Sequence, residues 1–334
     1  MDLDELNLAE YLCARGVAPA GVPVQVRALG GGVSNVVLLA EWEASAVVVK
    51  QSLARLRVAA EWLFDRSRIF VERACLEVLG NLLPGSVPQV VFADDEQFAF
   101  GMTAAPFGGE VWRDALCQGR FDTATAAHAG TLLGNLKSAT AGDAALAVRF
   151  HDDMPLIQGR VDPFHRTVAA LHPSLAGAIS REVDRLLASR SVLVHGDYSP
   201  KNLITYSDRV LLLDCEVAHW GDPAFDPAFL LSLLLLDGRE HHGLVDAAVA
   251  STRAFWDTYQ AAGGQATDEA AVVAELGCLL LARADGKSPL PGLTERGRLV
   301  TRGVGRALLL DAERLDVPAA VDRAAALIYE SEGS

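Results

Sequence analysis

The chain has 334 residues, 51% of them hydrophobic and 22% charged, the profile of a globular protein long enough to build two cores. Its 43 acidic residues outnumber 29 basic ones, giving a formal charge of −14. That balance argues against nucleic acid as a partner, because a phosphate backbone demands basic patches; it would tolerate or attract a cationic small molecule, and a uniformly acidic surface is also a solubility device.

Five cysteines, Cys13, Cys75, Cys117, Cys215 and Cys278, show no CxxC or Cys/His ligand spacing and read as reduced thiols of a cytoplasmic protein. The first residues, MDLDELNLAEYL, carry acids where a secretory signal carries bases. The most apolar run, Ala228 to Leu236, is far shorter than the ~20 residues that span a bilayer, so no membrane association is expected. Oligomeric state has no signature here.

In chain order, Leu8, Tyr11 and Leu12, with Leu3 and Leu6 before them, predict a short amphipathic helix within residues 2–15. From Val24, the stretch VQVRALGGGVSNVVLLAEWEASAVVVK holds three β-rich runs broken by a glycine cluster and a Glu-Ala-Ser turn. Gly30, Gly31 and Gly32 lack a Cβ and can bring a hairpin tip close to phosphates, where Ser34 or backbone amides can donate; a plain flexible turn is the alternative. Lys50, after Val47-Val48-Val49 on the third run, stands where a nucleotide-phosphate lysine belongs, although a solvated strand end is as ordinary a use. Residues 67–83 place apolar side chains at 70, 71, 74, 75, 78, 79 and 82, a helical stripe, and that helix offers Glu72 and Glu77 as partners for Lys50.

Strands are expected at 89–93 and 97–102, then a Gly-Gly loop at 106–110 and helices from Trp112 and over 123–138. Residues 141–166 read as a loop whose ligand-like groups are Arg160, Asp162 and His165; a surface salt bridge would equally account for Arg160. A helix over 173–189 then delivers the chain to SVLVHGDYSPKNLITYSDRVLLLDCE, residues 191–216.

Two apolar runs here, Val192–Val194 and Val210–Leu213, each end on a polar group: His195-Gly196-Asp197 after the first and Asp214 after the second. Asp197 precedes Asn202 by five positions. Two carboxylates and a carboxamide on adjacent loops supply the hard oxygen ligands that suit Mg²⁺ and the phosphates it bridges. Phosphoryl transfer asks for these ligands, for a carboxylate near the attacking hydroxyl and for a cation on the nucleotide phosphates. Acids at strand ends are common, but the joint spacing is far more specific than HGD alone. A zinc site on His195 and Asp197 lacks further ligands.

HGDYSPKN followed by LLLDCEVAHWGDPAFDPA resembles the aminoglycoside phosphotransferase, choline kinase and methylthioribose kinase group, small-molecule kinases with a protein-kinase-like fold. The resemblance implies that Asp197 is the catalytic base, that Asn202 and Asp214 hold Mg²⁺, and that Lys50 contacts the α/β-phosphates. Counting back from Val87-Pro88, which resembles the family's strand entry, favours Glu72 over Glu77 as the partner of Lys50. A hinge over 102–105 would hold the nucleotide base through backbone groups near Met102 and Ala104, which leave no side-chain signature, so ATP is the default donor and GTP stays open. Cys215 departs from the usual aromatic or apolar residue after the metal aspartate. Asp226, at the start of an apolar helix, reads as an N-cap, and Asp222 as positioning its loop.

Beyond residue 241 the chain is Ala- and Leu-rich and helical in period, interrupted by LARADGKSP at 281–289. Arg283 and Lys287 in that interruption face either an anionic substrate group or the end of their own helix. The acceptor-side candidates are therefore Arg160, Asp162, Glu216, Arg283 and Lys287. The expected fold is α+β and bilobal, with an N-lobe of antiparallel sheet plus helix over 1–102 and a mainly helical C-lobe over 103–334 carrying the catalytic loops. The expected function is ATP- and Mg²⁺-dependent phosphorylation of a small-molecule hydroxyl. A nucleotide-binding pseudokinase without turnover is the alternative, and a protein kinase is disfavoured by HGD and DCE where HRD and DFG would stand.

Overall fold

The computed structural model describes residues 1–30, 35–53, 65–240, 243–290 and 292–332. The chain forms two compact units, Met1–Phe107 with Leu213–Val217, and Gly108–Leu212 with Ala218–Ser334.

The first unit is an antiparallel five-stranded sheet with two helices. Its strands, β1 (Gln25–Ala28), β2 (Asn35–Trp42), β3 (Ser45–Ser52), β4 (Val90–Asp94) and β5 (Ala99–Thr103), lie in the order β1-β2-β3-β5-β4. Central β3 is buried from Val47 to Ser52, so its two faces split by the pleat. Val47 and Val49 join Leu38, Ala40 and Trp42 in a core closed by Leu8, Tyr11 and Leu12 of α1 (Leu8–Ala14). Lys50 falls on the opposite face, towards α2 (Arg68–Leu82). The apolar stripe expected on α2 is rotated. Its buried side chains are Arg68, Ile69, Glu72, Cys75, Leu76, Val78 and Leu79, while Leu82 is exposed, because two charged residues turn inward to partners the apolar period cannot register.

The second unit starts with β6 (Glu110–Val111), α3 (Trp112–Cys117) and α4 (Thr123–Thr140), whose first turn is capped by Asp122 through the N–H groups of Ala124 and Thr125. Residues 141–166 are not a loop. They hold α5 (Ala144–Arg149), α6 (Met154–Leu156) and a π-helical run, Ile157–Arg166, that continues into α7 (Thr167–Leu171). Gly159 and Pro163 look like breakers in sequence, but a wide π turn accommodates the hydrogen bond that Pro163 cannot donate. After α8 (Pro173–Ala188), β7 (Val192–Val194) pairs with β10 (His219–Gly221), and β8 (Leu203–Thr205) with β9 (Val210–Leu212). The two apolar runs read from the sequence thus join different sheets, each through a strand too short to show as a run.

The remainder is α9 (Phe225–Glu240), α10 (Val245–Ala262), α11 (Glu269–Asp285), α12 (Glu295–Asp311) and α13 (Val317–Glu332). The apolar run of α9 is a buried core helix, with Ala228 to Leu236 all inside, and no described helix is long and apolar enough to cross a membrane. Glycines let two helix pairs touch backbone to backbone: a Cβ on Gly130 of α4 would lie 2.2 Å from Phe255 O of α10, and one on Gly277 of α11 would lie 2.6 Å from Leu309 N of α12.

Candidate active site

In the first unit, β3 delivers Lys50 inward, with Nζ 2.6 Å from Glu72 Oε1 and 2.7 Å from Asp214 Oδ1. Of the two carboxylates on α2, Glu72 is the one Lys50 meets; Glu77 is exposed, 3.8 Å from Arg73. Burial pulls the Lys50 pKa down, but the charges of Asp214 and Glu72 more than reverse it, so the ammonium stays protonated. Glu72 is pushed up by burial and by Asp214 and Glu216, against the opposing pull of Lys50.

Asp214 follows β9 with φ of 67°, a left-handed conformation that aspartate tolerates better than most residues. Glu216 belongs with this group: its Oε2 accepts from Asn35 Nδ2 at 2.9 Å and lies 3.2 Å from Arg68 Nε. Expected as an acceptor-side residue, it stands among the groups around Lys50 instead. Glu72, Asp214 and Glu216 each present an oxygen within 4.8 Å of the others, a donor set that fits a hard divalent cation. Glu72 Oε2 has no hydrogen-bond partner among the described residues.

Gly30 is next to β1, in a cavity lined also by Leu29, Asn35 and Leu38. Gly31, Gly32 and Ser34 lie outside the described residues. Met102 is a buried residue of β5, opposite Val48, and Ala104 follows the end of that strand.

In the second unit, β7 hands the chain to His195-Gly196-Asp197. The N–H groups of His195 and Gly196 donate to Asp226 at 2.7 and 2.9 Å. Asp226 is therefore the buried anchor of this turn and not simply the cap of its own helix. Gly196, at φ of 78°, supplies the left-handed turn, and Asp197 N then donates to His195 Nδ1 at 3.1 Å.

Asp197 is 5% exposed and surrounded. The 3₁₀ turn Pro200–Asn202 brings Asn202 back, so that its Nδ2 donates to Asp197 O at 2.9 Å and to Oδ2 at 3.0 Å. With the nitrogen so used, Oδ1 is the atom that Asn202 could offer to a metal. Lys201 Nζ lies 2.7 Å from Asp197 Oδ2, and Arg160 Nη2 lies 2.9 Å from Oδ1.

Arg160 is buried. Its Nε donates to Gly196 O and its Nη1 to Gly159 O, at 2.8 and 2.7 Å. Asp162, expected beside it, points the other way, exposed and paired with Arg166 at 2.5 Å. His165 turns inward to Glu275 at 3.0 Å. Arg283 lies over the rings of Phe164 and Phe229, 5.2 Å from each centroid, whereas Lys287 is exposed. Of the two cations at 281–289, only Arg283 thus reaches the surroundings of Asp197.

Sequence reasoning missed Asn35, Arg68, Lys201 and Arg113, the last 3.8 Å from Asp237. Arg68 had one readable sign, since it precedes Glu72 by a single helical turn and so shares its face. Lys201 had another, four positions after Asp197; Asn35 and Arg113 had none.

Two chemical capacities result. The first unit holds a buried ammonium among carboxylates, fit for phosphate and a metal ion; the second holds a carboxylate fixed by three donors, fit to orient a hydroxyl.

A family model described as the phosphotransferase enzyme family matches residues 25–271. Methylthioribose kinase 2 of Oryza sativa subsp. japonica is 21% identical over 279 residues, covering 74% of this chain and 65% of the rice protein. The chain thus spans somewhat less than two thirds of that relative. Among solved structures, APH(2'')-IIia in complex with GDP and kanamycin has a TM-score of 0.54 at 16% identity, covering 92% of this chain and 99% of that one. Spectinomycin phosphotransferase APH(9)-Ia with ADP and spectinomycin has a TM-score of 0.52 at 12% identity and covers all of both chains. At such identities these structures show a shared fold, which is protein-kinase-like.

Proposed function

This chain belongs to the phosphotransferase enzyme family, and on that footing we propose that it transfers the terminal phosphoryl group of ATP to a hydroxyl of a small molecule, with Mg²⁺ as cofactor. The observation that carries the reading is Lys50, an ammonium buried between Glu72 and Asp214 on the face of β3 away from the α1 core. A lysine is expensive to bury, and two carboxylates hold this one charged, as a group that binds nucleotide phosphates must be.

In this reading Lys50 grips the phosphates and Glu72 fixes its position. Asp214 and Asn202 Oδ1 would hold Mg²⁺, with Glu216 offering a further oxygen; bound there, the ion would neutralise charge on the phosphates it bridges. Asp197 accepts the proton of the acceptor hydroxyl and aligns its oxygen. Arg160, Lys201 and Asn202 keep its carboxylate in place. Gly30 adds a backbone contact to the phosphates.

The curated relative is a methylthioribose kinase and the solved structures hold aminoglycosides, so sugars and aminocyclitols head the acceptors to test. The test is a product-detected screen of hydroxyl compounds with ATP or GTP and Mg²⁺. Transfer to at least one compound, dependent on Asp197, upholds the reading. Nucleotide binding with no transfer to any of them would leave a scaffold that binds nucleotide.

A further inference from the structure

The charges around Asp197 are the reverse of what the composition suggests. The chain as a whole carries −14, yet in the second unit Arg160 and Lys201 both stand on Asp197, and Arg113 lies 3.8 Å from Asp237. Arg283 joins them with no ion pair of its own among the described residues. Its Nε is buried without a hydrogen-bond partner, and its Nη1 has only a long contact, 3.4 Å, to Ser288 O.

The guanidinium groups of Arg160 and Arg283 share one platform. Arg160 lies 5.5 and 5.2 Å from the centroids of Phe164 and Phe229, and Arg283 lies 5.2 Å from each; the rings themselves are stacked at 6.4 Å. Arg160 is balanced by Asp197, whereas Arg283, over the same rings, carries a charge that an added anion would balance. Consistent with that, burial, Arg160 and Arg113 push the Arg283 pKa down to about 10, while Asp197 and Asp237 oppose them.

Resting on the phosphotransferase reading above, we propose that the acceptor is an anion: a carboxylate or phosphate on the substrate docks on Arg283 between it and Arg160, placing a hydroxyl of the same molecule at Asp197. A planar guanidinium with an unused Nε–H is suited to bidentate capture of such a group.

The test compares acceptors that differ in the sign of their charge: gluconate, glucose 6-phosphate, glucose and glucosamine, and likewise glycerate, glycerol and 3-aminopropane-1,2-diol. Within each set kcat/KM should be highest for the anion and lowest for the amine, and the gluconate and glucose 6-phosphate arms separate carboxylate from phosphate. Arg283→Gln should cost the preferred anion about 10- to 100-fold, chiefly in KM, with Arg283→Lys in between and a much smaller loss for the neutral member. Preference for the amine, or an Arg283→Gln effect equal across charges, would overturn the proposal.

Should no compound in the sets turn over, titration of malonate and inorganic phosphate into protein saturated with Mg²⁺ and a non-hydrolysable ATP analogue decides it. Binding of either anion that Arg283→Gln weakens at least tenfold supports the proposal, and no binding or equal binding refutes it. Failure of the analogue itself to bind would count against the phosphotransferase reading, with malonate still judging the anion site.

Discussion

Arg160 Nη2 stands 2.9 Å from Asp197 Oδ1 while Arg160 Nε donates to the carbonyl of Gly196, so one side chain fixes both the carboxylate and the backbone turn that presents it. The sequence places Arg160 only among the acceptor-side candidates. The geometry changes that. Arg160→Ala removes one of the two cations on a buried carboxylate that keeps Lys201, and should cost on the order of 1–3 kcal/mol of stability, with a fall in kcat for every acceptor. Urea midpoints and kcat check it, and a variant with the parent's kcat would show that Asp197 needs no such brace.

Asp197→Asn should lower kcat by about 10²–10⁴, the usual contribution of a general base, with nucleotide affinity within about twofold of the parent. The amide keeps the size of the carboxylate but cannot accept the hydroxyl proton. Turnover at a near-normal rate would remove Asp197 from the mechanism.

Lys50 and Asp214 should fail in different ways. Lys50→Met leaves Glu72 buried without its cation, so both nucleotide affinity and folding stability should drop. Asp214→Asn keeps a residue type that tolerates φ of 67°, and Lys50 keeps Glu72. That variant should stay folded and show a raised Mg²⁺ requirement. Separate titrations of ATP and Mg²⁺ with thermal melts decide, and identical behaviour in both variants would contradict these roles.

The buried network of His165, Glu182 and Glu275 sets a pH dependence. Burial, with the charge of Glu275, raises Glu182 from 4.5 to about 7. Burial lowers His165, but Glu275 more than reverses it and leaves it above 6.5. Both folded values exceed the unfolded ones, so their stabilisation is complete in acid and disappears as pH rises through the folded values. Glu275, held low by His165 against its burial, acts oppositely, but only as pH falls below its ordinary 4.5. The urea midpoint should therefore fall between about pH 5.5 and pH 8, and Glu182→Gln should flatten the slope. A midpoint that rises over that interval would contradict this network.

Gly277→Ala should destabilise the protein by about 1–3 kcal/mol, since the new methyl meets backbone atoms of α12 that have no side-chain freedom with which to yield. An unchanged melting temperature would mean that the two helices separate at little cost.

What the sequence made readable was local. The strand with Lys50 and the turn joining Asp197 to Asn202 follow from spacing within a few residues, and spacing survives without tertiary context. Arg68 turned inward because Glu216, 148 positions later, awaits it, and no helical period carries that information. Residues 141–166 misread for a related reason. Gly159 and Pro163 weaken an α-helix, but packed against α8 and α11 they support a π-helical run that aims Arg160 and His165 inward. The sign of charge at Asp197 was hidden too, because net charge averages over a surface while Arg160, 37 positions earlier, and Lys201 both contact this one carboxylate.

Leu213–Val217 belongs to the first unit although the residues on either side belong to the second. Evolutionary recombination or a designed chimera that exchanged the chain at residue 107 would move Lys50, Glu72 and Arg68 and leave Asp214 and Glu216 behind. A transplanted first unit would then carry Arg68 without Glu216, and Lys50 with only one of its two carboxylates. Such hybrids should express poorly unless these five residues are exchanged as well, which makes the inheritable module a discontinuous one.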